Sequence, residues 1–296
     1  MPEIVQTDLK SAREVTHLAP AQSAANGIRY ASFGDTQVSS SDLEQLVEAV
    51  PRAMAAALHT RTYYFVPLTL DESTDTGVGE SGQDETRPEQ ITIAPEFSTQ
   101  LADVAFCHRN VSLAEADCIF ISTRLMQDRF ALAFEFYINA SHHFVDAVGV
   151  PESFMDLVWS QAEAGVRGET SHDAWESRGR AIGQTAMEQT TSRWNPPPAR
   201  TRRIRSLQAA AAPAAPIQRN VIDEKARGEY FHATFADAIA IYLLSLTVDF
   251  DYIELREREY PLLVAPALAE RLRHIARLFP PNQGNEFSIR YRHSNV

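Results

Sequence analysis

Cysteine is nearly missing from this chain. Cys107 and Cys118 are the two it has; they fit no metal or redox spacing, and two cysteines alone make no disulfide framework. A reducing cytoplasm is the expected setting. Lysine is as scarce, with only Lys10 and Lys225, and the formal net charge is −12. That balance argues against general nucleic-acid binding, in which Lys and Arg neutralise phosphates. No apolar run reaches the length of about 18 residues that a membrane span needs. The most apolar stretch, Ala233 to Phe250, is broken by Asp237 and Asp249, so no membrane partner is expected. Met1 to Pro20 holds Glu3, Asp8 and Glu14 without an apolar core, unlike a secretory signal. A phosphate-binding Gly loop, a Gly-x-Ser-x-Gly elbow, a His-Glu-x-x-His pair and internal repeats are all absent.

What the chain does have is apolar content. With 296 residues at 44% hydrophobic, it can bury one large core or two smaller ones. Residues 1–40 show little periodicity and read as an irregular arm. Ser41-Asp42-Leu43-Glu44 resembles a capping box, and Leu43, Leu46, Val47 and Val50 continue at helical spacing to about His59, with a kink expected at Pro51. Thr62 to Leu68 is aromatic and β-branched, a strand that Pro67 pushes towards a sheet edge. Asp71 to Glu89, with seven carboxylates and one arginine, reads as a mobile acidic loop. Pro95 to Cys107 reads as a short helix.

Two strands joined by a tight turn are the expectation for the next segment. Cys118 to Leu125 is β-branched. Phe130, Leu132, Phe134, Phe136, Ile138 and Ala140 then occupy one parity against Ala131, Ala133, Glu135, Tyr137 and Asn139 on the other. Period 2 is the signature of a half-buried strand, and Gln127-Asp128-Arg129 supplies the turn. The competing reading is a long helix, since neither Gly nor Pro interrupts Ser112 to Val148. Helices are further expected after Pro151, over Trp175 to Met187, from Asp223 to Glu259 and from Pro261 to Phe279. A closing strand is expected at Glu286 to Tyr291. Asn195 to Pro216, rich in Pro, Ala and Arg, reads as a linker. The resulting expectation is an α/β (α+β) protein. Its β-hairpin-containing sheet is flanked by helices in an α/β domain over 41–190, a linker spans 191–219, and a mainly helical region covers 220–296.

Chemistry is concentrated at His142-His143-Phe144-Val145-Asp146. A neutral histidine emerging at a strand end can take a proton from a hydroxyl or amine, and an aspartate four residues on can fix its turn. The segment resembles the coenzyme-A-dependent acyltransferases related to chloramphenicol acetyltransferase and the BAHD-type enzymes, whose signature is His-x-x-x-Asp at the end of a strand. Phe154, Trp159 and Arg167-Gly168 are similar to the aromatic helix and Arg-Gly that often follow. Ala147 stands where the family usually has Gly, and the family's Asp-Phe-Gly-Trp-Gly motif does not occur. The resemblance implies His142 as general base, Asp146 as its structural partner, and an acyl-CoA or other thioester as co-substrate for a small-molecule acceptor, with no resident cofactor. It also allows a homo-oligomer, because single-domain members form their acyl-donor tunnel between subunits.

Two other readings stand beside it. One is a non-enzymatic binding or scaffold protein in which His-x-x-x-Asp is incidental. The other is a helical di-iron oxidase. Glu229 and His232 form Glu-x-x-His, the spacing used by carboxylate-bridged bundles, repeated at Glu169/His172 and Glu14/His17, with Glu163, Glu176 and Glu224 as further candidates. His232, Asp237 and His274 lie among apolar neighbours and also fit as satisfied core groups.

Overall fold

In a computed structural model, residues 8–71, 91–113, 116–126, 128–183, 223–255 and 260–289 are described. Among them are nine α-helices and two sheets. Most of the acidic 71–89 segment and the 191–219 linker lie outside the described residues.

The main sheet is built around β4 (Arg61–Val66). It pairs in parallel with β3 (Arg29–Ser32) on one side and β8 (Ala116–Ser122) on the other. Antiparallel edges close the sheet: β2 (Gln22–Ser23) beside β3, and β7 (His108–Leu113) beside β8. Thr62 to Val66 are buried on both faces, as a central parallel strand requires. Pro67 does not make β4 an edge, because it lies one residue past the strand and removes no ladder donor. Of the expected irregular arm over 1–40, the described residues 8–40 are regular in part. They supply β2 and β3, β1 (Lys10–Ser11) and a capped helix α1 (Ala12–Leu18). Strand β1 joins a second, antiparallel sheet with β6 (Ile91–Ala94) and β5 (Leu68–Asp71).

Alternation along β4 divides the core in two. Tyr63 and Phe65 enter the larger cluster, whereas Tyr64 and Val66 enter a smaller one with Val15, Ile91 and Ile93. The helix expected from 41 to 59 is interrupted at Pro51, giving α2 (Ser40–Glu48) and α3 (Arg52–Ala55). Its cap is Ser39, whose hydroxyl accepts from the Asp42 amide, rather than Ser41. A short α4 (Thr99–Ala102) follows.

The largest departure from expectation is that residues 130–140 form no strand. Helix α5 runs from Arg129 to Val148, so the hairpin of the main sheet is β7–β8 and not a pair made with 130–140. Asp128, expected in a turn, caps the helix by accepting from the Ala131 amide at 2.9 Å, and Gly149 ends it at φ 75°. The apparent period 2 is the sum of two rows of period 4. Phe130, Phe134, Ile138 and His142 form one row. Leu132, Phe136 and Ala140 form another, offset by two residues. Both rows are covered by protein, so every even position in 130–142 is apolar or half-buried. Replacing Asp128 with alanine is expected to lower stability by about 1 kcal/mol, read as a reduced urea midpoint with unchanged slope.

The remaining helices are α6 (Glu152–Glu163), α7 (His172–Ala181), α8 (Glu224–Ser245) and α9 (Ala265–Leu278). Helix α8 is buried almost all round from Thr234 to Leu244, as expected for a helix apolar on every face. It packs against α5, α6, α7 and α9. The described part of the expected terminal strand, 286–289, has no strand pairing. No described helix is long and apolar enough to cross a membrane.

Candidate functional site

Helices α5, α7 and α8 line a solvent-open cavity of about 310 Å³ with β7 and the loop ahead of α7. His142 lines it, as do Phe134 and Ile138, one and two helical turns before it. The i, i+4 spacing explains why the three share a wall. Strand β7 contributes His108 and α7 contributes His172 and Asp173. The loop before α7 adds Thr170 and Ser171, and α8 adds Asp237 and Ile241.

Burial holds the His142 imidazole below its ordinary pKa, with His232 pushing the same way and Asp146 opposing. It is therefore neutral at neutral pH and able to accept a proton. Asp146 lies one turn further on but hydrogen-bonds away from His142: its Oδ1 accepts from His232 Nε2 at 2.9 Å. The His142 and His232 rings have centroids 5.8 Å apart. Two residues named by separate sequence readings, Asp146 and His232, are thus one pair across α5 and α8.

The other carboxylates of the cavity differ in setting. Glu135 accepts from His108 Nδ1 at 2.6 Å and from Asn139 Nδ2 at 3.2 Å. Asp173 sits in the exposed first turn of α7. Asp237 is buried, with Oδ2 accepting from Thr170 Oγ1 at 2.9 Å. Burial pushes its pKa up to about 6 against the hydrogen bonds from Ser171 and Thr170. A carboxyl there titrates close to the pH at which an enzyme's acid or base works.

Behind the loop that carries Thr170 and Ser171 lies a fully enclosed ionic cluster. Glu169 and Arg271 each have no exposed surface, and Arg271 Nη1 donates to Glu169 Oε2 at 2.8 Å. Arg178 Nη1 and the Tyr230 hydroxyl donate to Glu169 Oε1 at 3.2 and 2.6 Å. Arg271 Nε donates to Gln161 Oε1 at 2.8 Å. The backbone is tied at the same point. Glu169 N donates to Pro261 O, and Leu263 N donates to Glu169 O, each at 2.9 Å. Gly168 takes φ 84°, and a side chain there would collide with the Leu262 carbonyl. These contacts hold Thr170 and Ser171 against the cavity.

His143, adjacent to His142, has a different fate. It is buried, its Nδ1 lies 3.4 Å from the Tyr63 hydroxyl, and burial lowers its pKa to about 4.

The metal reading gathers no support from these positions. Glu229 pairs with Arg180 at 3.0 Å and His232 with Asp146. Glu163 accepts from Trp159, and Glu176 lies 3.6 Å from His172. Among the described residues, no three His, Cys, Asp or Glu side chains gather as a metal site. Arg271 escaped the sequence reading, although a signal was present: it interrupts the apolar stripe Leu268, Leu272, Ile275 of α9, and a charge there demands a buried partner. No family model, no curated protein and no solved structure matches this chain.

Proposed function

We propose that this protein is an enzyme in which His142 acts as general base on a small molecule held in the α5–α7–α8 cavity. In the specific form, an acyl group passes from a thioester to a hydroxyl or amine of that molecule. The observation that supports the base is a neutral, half-buried imidazole on the wall of a pocket that a buried carboxyl, Asp237, also lines. In the reaction, His142 takes the proton of the attacking group as it adds to the thioester carbonyl. The carbon–sulfur bond then breaks, and the imidazolium returns the proton to the departing thiolate. The thioester rests on the His-x-x-x-Asp resemblance alone. That motif lies within a helix rather than at a strand end, so the base and the acyl donor have separate supports and are tested separately.

The test is release of free thiol from acetyl-CoA and longer acyl-CoA donors, each offered with a panel of small alcohols and amines. His142→Ala is expected to slow release by about 10²–10⁴-fold, while Asp146→Asn, which breaks the pair with His232 and removes a charge that favours protonated His142, costs less than tenfold. Equal rates in the wild type and His142→Ala overturn the base. Absence of thiol release by the wild type from every donor overturns acyl transfer.

A further inference from the structure

We infer that the molecule accepted by this cavity carries a protonated amine beside an apolar or aromatic arm. This rests on the reading of the cavity as the substrate site. Its described wall holds three carboxylates, those of Glu135, Asp173 and Asp237, and neither lysine nor arginine. Nearby positive charge is engaged elsewhere: Arg178 and Arg271 are committed to Glu169 behind the wall.

The histidines do not restore a positive field. His142 is held neutral by burial, and the other two face carboxylates, His108 that of Glu135 at 2.6 Å and His172 that of Glu176 at 3.6 Å, so Asp237 and Asp173 are the carboxylates left to meet a cation. Carboxylates set in low-dielectric walls focus a negative potential in the space between them, which concentrates cations and excludes anions. The remaining walls suit the rest of such a molecule. Phe134 and Tyr260 present aromatic surface, Ile138 and Ile241 aliphatic surface, and aromatic faces attract an ammonium further. A cavity of about 310 Å³ lies at the small end of the range for ligand sites. A small amine fits these walls; phosphates have no described cation to meet.

Proton balance follows from the same groups. An ammonium must lose two protons to become an amide. The first passes to the Asp237 carboxylate and on to water. The second goes to His142 as the carbon–nitrogen bond forms, and from there to the thiolate.

Three probes of one shape separate charge from fit: tyramine, 4-propylphenol and 4-hydroxyphenylacetate, titrated calorimetrically at pH 7.5 into the full chain. Tyramine is expected to bind at least about tenfold more tightly than 4-propylphenol, and the carboxylate not at all. Asp237→Asn should abolish that preference. Asp173→Asn, at the exposed rim, should reduce it by less. Equal or tighter binding of the neutral or anionic probe, a preference that survives Asp237→Asn, or failure of tyramine to bind overturns the inference. The two readings fail differently. Tyramine selectivity without His142-dependent thiol release removes the acyltransferase and keeps the amine site. His142-dependent release to alcohols without tyramine selectivity does the reverse.

Discussion

Glu169→Ala is expected to cost about 3–5 kcal/mol of folding stability, a large part of the roughly 5–15 kcal/mol available to a domain. The carboxylate is the counter-charge of two guanidinium groups. Arg271 is wholly enclosed and Arg178 nearly so, with its Nε already lacking a hydrogen-bond partner. Removing the carboxylate strands both charges in a medium that solvates them poorly. It also leaves the Tyr230 hydroxyl without its acceptor. Arg271→Met alone is expected to be costly for the converse reason, as it leaves Glu169 with only Arg178 as a charged partner. Glu169→Leu/Arg271→Met should cost less than the sum of its single changes, because a paired deletion removes desolvation along with attraction. Urea unfolding of Glu169→Leu, Arg271→Met and the double gives the coupling directly. Additive losses, or a Glu169→Ala protein as stable as the parent, would falsify the view of this cluster as a mutually dependent unit.

Asp237 and His143 are expected to give the protein two opposed pH dependences that nearly cancel. The Asp237 pKa is raised by burial from 3.8 to about 6. As pH climbs from about 4 to 6 the unfolded chain releases this proton first, so stability falls by about 3 kcal/mol. The His143 pKa is lowered by burial, with Arg61 adding to it, from 6.5 to about 4. As pH drops from about 6.5 to 4 the unfolded chain takes up this proton first, so stability falls in that direction, again by about 3 kcal/mol. One group penalises the neutral side of the window and the other the acidic side.

Single substitutions should therefore unmask what the natural chain conceals. Asp237→Asn is expected to gain stability steeply from pH 4 to 6.5 and to exceed the parent at pH 7. His143→Gln is expected to lose stability over the same rise. Urea midpoints at unit intervals of pH measure both, and every other titrating group is common to the three proteins. Parallel curves for the parent and both variants would show that neither side chain is held away from its ordinary ionisation.

How much of this was readable beforehand differs from element to element. The core of β4 was legible because Tyr63 to Val66 are β-formers in an unbroken run, and its neighbour β8 for the same reason. Helices α6, α8 and α9 were legible through long apolar periodicity with Pro151 and Asp223 at their starts, although α8 ends at Ser245 and does not continue through the expected region to Glu259. The segment 130–140 was misread because parity along a chain does not distinguish a strand from a helix buried on two sides. Phe130 contacts Phe250 while Phe136 contacts Tyr63 and Phe65, and neither neighbour is visible from within the segment. Position 67 misled in a simpler way: one proline just beyond a strand has no bearing on that strand's ladder.

The site divides along the same line. His142 and Asp146 drew attention as a motif, and His142 does reach a cavity, but Asp146 turns to His232 instead. Asp237 was visible as an acid in an apolar helix without any indication of what it faced. Glu169 and Arg271 are separated by 102 positions, and no local pattern connects them.

Interactions within a turn of helix or along one strand are written in neighbouring residues. Caps, breaks and strand-forming runs could thus be read from residue order and composition, as could the lack of a long apolar helix among the described residues. Burial is a property of what packs alongside. The helix under His142, the central place of β4, the Glu169 cluster and the cavity with its carboxylate wall were decided only when distant segments closed on one another. There the removal of water gives each buried charge and each apolar row the partner it requires.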